Sequence, residues 1–303
     1  MPTINETLNV FPMLLFHDPR CIEYGNAARP EQPARLRNTV PLLQERHPDW
    51  TWRQAPPATR EQAAFAHTPA MLDRLSEPHD FDGDTPWFED IDAHAYRATG
   101  SAIAAAQAAF DGEGPTISMM RPPGHHATSD QAMGFCYLSH IAIATLVVRA
   151  QHPAARIAVW DFDAHHGNGT EAILANRPDT LFVSVHQSPG YPGTGLTSFA
   201  NCLNYPVPPL TPRADHMATL ANSWQRVIAF EPDLVLVSAG FDAYEGDPIT
   251  DMTLDQSDFA TLGTWLHDAS LPTASVLEGG YSPDLPDLVD AFLSNWAGDS
   301  SQA

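Results

Sequence analysis

Asp163 and His165 are the residues with the clearest potential for chemistry, because they stand two apart shortly after a largely apolar run over 156–160. That run predicts a buried strand, and alternate side chains of an extended segment point the same way. One carboxylate oxygen and one imidazole nitrogen can therefore converge on one cation, and this donor pair suits zinc or another borderline divalent metal. The alternative interpretation is a helix-capping aspartate beside a partly buried histidine, and the pair alone does not decide between them.

Polar side chains follow the ends of four predicted strands. Ligands in open α/β sheets bind outside the carboxyl ends of the strands, so these residues are expected to form one site. The strands and the residues that follow them are 115–120 with His125 and His126, 156–160 with Asp163 and His165, 233–239 with Asp242, and 273–277 with Tyr281.

The tandem histidines His125 and His126 have two chemical interpretations. They could be metal ligands, or they could be a general acid–base pair. A single histidine would more often be structural, but two in succession after Pro-Pro-Gly favour a functional role. Asp163, His165 and Asp242 together would supply three protein ligands and leave one position open, which is the arrangement of catalytic zinc.

The elements that must position these residues alternate between strands and helices, which predicts the α/β class with an open, mostly parallel sheet flanked by helices. We expect a single domain over residues 1–303, since no repeat or clear linker interrupts the chain. Further strands are predicted at 13–16 and 180–186. Helices are predicted at about 34–46, 60–77 with a break at Pro69, 92–110 with Asp92 as the cap, 139–151, from 169, 212–231, 255–268 and 284–296.

The composition excludes several classes of function. The net charge is −22 and all 15 basic residues are arginine, which argues against nucleic acid as a partner. The acidic surface could steer cationic substrates or serve only solubility. Three widely spaced cysteines make a disulfide framework or a cysteine–zinc site improbable. With no secretion signal and no membrane-length apolar run, we expect a cytoplasmic protein without a membrane partner. The sequence leaves the oligomeric state open.

The motifs at these strand ends resemble those of the zinc-dependent histone deacetylase superfamily, and the resemblance covers residues 13 to 296. It implies the arginase/deacetylase fold. Asn168 and the 278–281 ending resemble the class II and bacterial deacetylase-like branch. The matching segments are Pro122-Pro123-Gly124-His125-His126-Ala127, Gly134-Phe135-Cys136, Asp161 to Thr170, Ser238 to Asp242, and Glu278-Gly279-Gly280-Tyr281.

Arginase shares this fold and is the nearest competing family. Arginase-like enzymes hold two manganese ions with Asp-x-His-x-Asp and Asp-x-Asp motifs. Here Gly167 stands two positions after His165, and Tyr244 stands two positions after Asp242. Because the carboxylates for a second ion are missing, we expect one metal ion.

The resemblance implies a role for each catalytic residue. Asp163, His165 and Asp242 would hold one catalytic Zn²⁺, which would bind the acyl oxygen and activate a water. The metal in the cell could also be iron(II). His126 would be the main general base and acid, and Asn168 would orient it. His125, hydrogen-bonded to Asp161, would tune the charge and help to position the water. Tyr281 would donate a hydrogen bond to the oxyanion.

The resemblance also implies a narrow substrate channel. Phe135 and Tyr191 would form its walls, with Gly134 at the rim, although both aromatics could instead be ordinary core residues. Arg35 would line a pocket for the departing acetate, and Asp84 matches a rim aspartate that clamps the substrate backbone. A structural K⁺ site is implied at Asp161, Asp163, His165 and Ser184.

Three hypotheses about function remain. The first is removal of acetyl or short acyl groups from acyl-lysine in a peptide or protein. The second is an acetylpolyamine amidohydrolase, which the acidic charge favours but Ile249 argues against, since polyamine-selective relatives can carry a glutamate near that position. The third, a binder without activity, is disfavoured by the intact motifs. The chain departs from the family at Arg29-Pro30-Glu31 and at Ser139-His140.

Overall fold

Eight strands form one sheet in the described part of this computed structural model, residues 12–298, and every strand pair there is parallel. Their order across the sheet is β2-β1-β3-β8-β7-β4-β5-β6. The strands are β1 (Leu14–Phe16), β2 (Thr51–Arg53), β3 (Thr116–Ser118), β4 (Ile157–Asp161), β5 (Thr180–Gln187), β6 (Cys202–Val207), β7 (Leu234–Ala239) and β8 (Thr273–Leu277).

Nine α-helices and one short 3₁₀ helix, Pro19–Ile22, accompany the strands within the same residues. The α-helices are α1 (Ala34–Arg46), α2 (Arg60–Ala63), α3 (Pro69–Arg74), α4 (Ile91–Phe110), α5 (His140–Gln151), α6 (Asn168–Leu174), α7 (Arg213–Ala229), α8 (Gln256–Ala269) and α9 (Leu285–Ala297).

Strand β4 shows how the sheet is buried on both faces. Its residues are all buried, and their side chains alternate between two apolar cores: Trp160 belongs to one and Val159 to the other. Helices α1, α7, α8 and α9 pack on the first face, while α2, α3, α5 and α6 and most of α4 pack on the second. A parallel sheet covered on both faces requires such apolar strands, and the predicted α/β class is confirmed.

The two edge strands, β2 and β6, were not predicted. Strand β6 pairs with β5 and contains Pro206, which lacks the amide that a central strand would need. An edge strand tolerates this proline because one side of it has no partner. Strand β2 has only three residues and pairs with β1, so its sequence signal is short.

The helical segment predicted over 60–77 is interrupted as expected, over residues 64–68, and Pro69 is the first residue of α3, because proline is tolerated at the start of a helix and Thr68 caps the Met71 amide. The cap predicted at Asp92 was wrong. Helix α4 is preceded by Asp90, at φ +59°, and not capped by Asp92. Asp92 lies in the first turn, where its carboxylate accepts a hydrogen bond from the Ala93 amide at 2.8 Å.

The cysteines Cys21, Cys136 and Cys202 are buried as free thiols. Within residues 12–298, no helix combines the length and the apolar character that crossing a bilayer requires.

The sheet order explains how residues far apart in sequence meet. Strands β8, β7 and β4 are neighbours, with β3 beyond β8 and β5 beyond β4. The loops that leave the carboxyl ends of these five strands therefore converge on one edge of the sheet.

Candidate active site

Asp163, His165 and Asp242 come together at this edge, after β4 and β7. One ligand atom from each lies within 4.8 Å of the other two. Nδ1 of His165 is 2.8 Å from Oδ2 of Asp242 and 3.2 Å from Oδ1 of Asp163. Both carboxylates are fully buried, and His165 is partly exposed.

Backbone amides hold the outer oxygens of both carboxylates. Gly279 N–H donates to Oδ2 of Asp163 at 2.7 Å, and Ala164 N–H donates to Oδ1 of Asp242 at 2.8 Å. The inner oxygens are thereby turned toward His165. A Cβ on Gly279 would lie 2.4 Å from the Asp242 carboxylate and 2.5 Å from that of Asp163, so this cradle requires glycine.

The three residues fit a divalent metal. Ligand atoms on a tetrahedral zinc at about 2.0–2.2 Å lie roughly 3.3–3.6 Å apart. The separations at His165, 3.2 Å to Asp163 and 2.8 Å to Asp242, are somewhat shorter, so a small opening of the cluster would admit the ion. Two buried carboxylates with oxygens within 4.8 Å of each other also need a cation to offset their repulsion and desolvation. Two carboxylate oxygens and one imidazole nitrogen would hold such an ion, and one of these ligands, His165, lines a cavity.

His125 contacts Asp161, as the family resemblance implies. Its Nδ1 lies 3.1 Å from Oδ2 of Asp161, and both side chains are buried. Burial lowers the pKa of His125, but the nearby carboxylates of Asp163 and Asp161 outweigh it and raise the pKa to about 10.

His126 is oriented by Asn168, whose Oδ1 lies 2.8 Å from Nδ1 of the ring. The amide nitrogen of Asn168 donates to the His126 carbonyl at 3.3 Å, which turns its oxygen toward the ring. Nδ1 therefore carries the proton, and Nε2 is left as an acceptor. Burial, reinforced by the neighbouring His125 and His165, holds the pKa of His126 well below 6.5. A neutral imidazole with a free nitrogen can take a proton.

Tyr281 is held in place from two sides. Its amide donates to Oδ2 of Asp247 at 2.7 Å, and the Arg35 guanidinium lies 4.8 Å from the centre of its ring. Arg35 also donates to the carbonyls of Gly280, at 2.7 Å, and Glu278. Burial raises the pKa of Tyr281 well above 10, so its hydroxyl remains a hydrogen-bond donor at neutral pH.

A cavity of about 270 Å³ connects these groups to solvent. Its lining includes five of the six residues expected along the substrate channel. The sixth, Arg35, lies buried behind Tyr281, so it supports the tyrosine and does not line this cavity. The lining residues are Arg29, Pro30, Asp84, His126, Gly134, Phe135, His165, Tyr191, Ile249 and Tyr281.

The aromatic walls are in contact with two of the candidate catalytic side chains. The centre of the Tyr191 ring is 5.0 Å from the centre of the His126 ring, and the centre of the Phe135 ring is 5.7 Å from that of Tyr281. Gly134 has φ +57°, and a Cβ there would lie 2.5 Å from His126, so a larger residue would close the passage.

Several residues without a role in the sequence predictions support the site. Asp247 joins Tyr281 to Ile249, whose amide it accepts at 3.0 Å. Glu278 accepts the amides of Gly124 and His125 at 2.6 and 3.1 Å and so fixes the loop after β3. Burial raises the pKa values of both acids to about 7. Their positions next to matched motifs were the available signal.

Ser184, expected at a potassium site, is buried on β5, where its hydroxyl lies 2.9 Å from Nδ1 of His186. Its neighbour across the sheet is Asp161. A potassium ion at this place stays a prediction.

Comparison with known proteins gives the family. The sequence pattern of the histone deacetylase domain matches residues 29–295. The histone deacetylase-like amidohydrolase of Pseudomonas aeruginosa is 36% identical over 281 residues, which cover 85% of this chain and 73% of that protein. An acetylpolyamine amidohydrolase of Burkholderia pseudomallei is 39% identical over 214 residues, which cover 67% of this chain and 62% of the relative, less than two thirds of its length.

Solved structures agree with the sequence match. The HD domain of HDA15 superposes with a TM-score of 0.86 at 28% identity, over 97% of this chain and 90% of that one. An acetylpolyamine aminohydrolase of Burkholderia pseudomallei gives the same TM-score and identity over 94% of this chain and 98% of its own. By sequence and by fold, this chain belongs to the histone deacetylase domain family of hydrolases.

Proposed function

We propose that this protein is a zinc-dependent amidohydrolase that removes acetyl or short acyl groups from acyl-lysine side chains. One observation carries the proposal: a single cavity brings together the candidate ligand His165, the base His126 and the donor Tyr281, between the aromatic walls Phe135 and Tyr191. This is the set of groups that amide hydrolysis needs at one reacting carbon.

The proposed reaction assigns proton transfers to His126. Its Nε2 takes a proton from water as the water oxygen bonds to the amide carbon, and returns it to the nitrogen as the carbon–nitrogen bond breaks. Acetate and a free amine leave. Asn168 keeps Nε2 aimed at the cavity through both transfers. A bound divalent metal would supply polarisation of the amide carbonyl and a lower pKa for water.

Tyr281 is proposed to stabilise the charge that develops on the acyl oxygen. Its hydroxyl, whose pKa is raised, stays protonated and can donate a hydrogen bond as the oxygen becomes negative. Loss of one such donor typically costs about 2.7–4 kcal/mol in the barrier. His125, linked to Asp161, is proposed to balance charge beside His126, since the two rings are 4.1 Å apart.

The second candidate is hydrolysis of acetylated polyamines. The names of the Burkholderia pseudomallei relatives favour it. Against it, the lining residue Ile249 is apolar at the place where the resemblance allows a glutamate in polyamine-selective relatives, and the partly exposed lining residue Arg29 is a cation. We therefore place acyl-lysine first. The structural potassium ion and a cytoplasmic location are further proposals from the resemblance and the composition.

The test is acetate release from an acetyl-lysine peptide and from acetylputrescine, by chelator-treated protein reloaded with Zn²⁺ or Fe²⁺. The proposal predicts turnover of the peptide that is absent without metal and returns on reloading. The Asp242→Asn variant should bind metal more weakly and lose turnover. Faster turnover of acetylputrescine would favour the second candidate, and no turnover of either by metal-loaded protein would reject both.

A further inference from the structure

Arg29 and Asp84 bring opposite charges to the opening of the candidate cavity. Both line the cavity that contains His126 and Tyr281, and both reach solvent, Asp84 more fully. Nη1 of Arg29 donates to the carbonyl of Gly83 at 3.1 Å, which places the guanidinium next to the residue that precedes Asp84. We call these two residues the rim pair.

Neither charge of the rim pair is neutralised by the protein. Among residues 12–298, no carboxylate lies within 4.0 Å of the Arg29 guanidinium, and no cationic side chain lies within 4.0 Å of the Asp84 carboxylate. One hydrogen bond to Gly83 occupies one of the five N–H groups of Arg29. A cation and an anion are therefore both free for a ligand at the opening.

The channel wall connects the rim pair to the catalytic end. Phe135 contacts Tyr281 through its ring, and its amide donates to Thr85 Oγ1 at 3.1 Å, directly after Asp84. An aliphatic stem along Phe135 with its amide at Tyr281 would therefore run toward the rim pair, which lines the same cavity. The group at that end of an acyl-lysine is the α-carbon with its amino and carboxyl substituents.

We propose that the rim pair recognises the zwitterionic head of free Nε-acyl-lysine, with Arg29 binding the α-carboxylate and Asp84 the α-ammonium. This inference rests on the proposed amidohydrolase function. A guanidinium matches a carboxylate through two parallel hydrogen bonds. A lysine inside a peptide carries neither charge, because both groups are amides. An acetylated diamine carries only the ammonium and meets an unmatched Arg29.

Four substrates separate the two contacts. Nε-acetyl-lysine carries both charges, 6-acetamidohexanoate only the carboxylate, N-acetylcadaverine only the ammonium, and Nα-acetyl-Nε-acetyl-lysine amide neither. All four present the acetamide on the same aliphatic stem. The measurement is kcat/KM for acetate release by metal-loaded protein, for the unsubstituted chain and for the variants Arg29→Gln and Asp84→Asn.

We expect Nε-acetyl-lysine to exceed the doubly capped substrate by roughly tenfold or more in kcat/KM, the range of a charge-assisted contact at a partly exposed site. Arg29→Gln should lower kcat/KM roughly tenfold only for the two substrates with a carboxylate. Asp84→Asn should do so only for the two with an ammonium. The exposed Arg37→Gln and Asp111→Asn make the same charge changes outside the cavity and should alter none.

Two results would overturn the proposal: a preference for the doubly capped substrate, or an equal effect of each rim variant on all four substrates. If the doubly capped substrate is still hydrolysed, either result rejects only the rim pair and not the amidohydrolase function. Failure of all four substrates would instead count against the amidohydrolase function. Calorimetric binding of Nε-acetyl-lysine to the same variants then tests the rim pair separately, since undiminished binding by Arg29→Gln and Asp84→Asn would reject it.

Discussion

The carboxylate of Asp247 accepts the backbone amide of Tyr281 at 2.7 Å. Its other oxygen accepts the amide of Ile249 at 3.0 Å. One buried carboxylate therefore ties the residue proposed to stabilise the reacting oxygen to a residue that lines the cavity. The loop after β7 and the loop after β8 are held in one arrangement by this contact.

Replacing Asp247 with alanine should loosen Tyr281 and lower kcat roughly tenfold, because the hydroxyl must sit within hydrogen-bond reach of the acyl oxygen. The control is the same substitution in a Tyr281→Phe background. If Asp247 acts through the tyrosine, the double variant should be no slower than Tyr281→Phe alone. A full additional loss in the double variant would show that Asp247 acts on something else.

Asn168→Leu should lower kcat at least tenfold without changing metal content. Leucine has a similar size but cannot accept a hydrogen bond from Nδ1–H of His126. The ring would then no longer be held in the tautomer that leaves Nε2 unprotonated. Asn168→Asp keeps an acceptor and should retain more activity. Equal activity of the leucine and aspartate variants would contradict the orienting role.

Gly279→Ala should weaken metal binding by roughly 10- to 100-fold, the usual effect of disturbing groups that hold metal ligands. The added methyl would collide with the carboxylates of both Asp163 and Asp242. Competition with a chromophoric chelator measures the affinity. Gly83→Ala is the matched control, since no atom lies within 4 Å of the added methyl there. Unchanged affinity in Gly279→Ala would show that the carboxylates are not the ligands.

Acid should destabilise the fold through His216 on α7, which is buried and has an unpartnered Nδ1 within the described residues. Burial lowers its pKa to about 4, and Asp258 only partly opposes this. Below about pH 6.5 His216 binds a proton in the unfolded chain, whereas in the folded chain it stays neutral until about pH 4. The free energy of unfolding therefore decreases as the pH falls from about 6.5 to 4. One such group costs up to about 1.4 kcal/mol per pH unit.

The free energy of unfolding should fall between pH 7.5 and pH 5 in both proteins, and the fall should be about 1–2 kcal/mol smaller in His216→Leu than in the unsubstituted chain. Urea denaturation at the two pH values measures this difference. His79→Leu serves as the control, because that side chain is exposed and should leave the loss unchanged. Identical losses in all three proteins would exclude His216 as an acid-sensitive group.

The central sheet could be predicted from sequence because its strands lie in short, mostly apolar runs with polar residues within a few positions of their ends. β4 and β7 are of this kind, and Asp163 and Asp242 follow them. The edge strand β6 could not be predicted from sequence, since a half-exposed run that contains proline has no such pattern. The start of α4 was misplaced because Asp90 and Asp92 are equally plausible caps until the backbone angle is known.

The candidate site was predictable to the extent that its residues lie at strand ends or in recognisable motifs. The positions of Asp247 and Arg35 in the site were not predictable, because each depends on a contact between segments distant in sequence. Asp247 contacts Tyr281, and Arg35 contacts the carbonyl of Gly280. Arg29 was visible only as a departure from the family pattern, and its neighbour Gly83 is 54 residues away.

The decisive measurement for the proposed hydrolase is acetate release from an acetyl-lysine peptide by zinc-loaded protein, compared with Tyr281→Phe. We expect robust turnover that falls by roughly 100-fold or more in the variant, since one donor to the acyl oxygen is lost. Metal content should be equal in both proteins. No release from zinc-loaded protein would contradict a lysine deacetylase, and turnover unchanged in Tyr281→Phe would contradict the proposed role of the tyrosine.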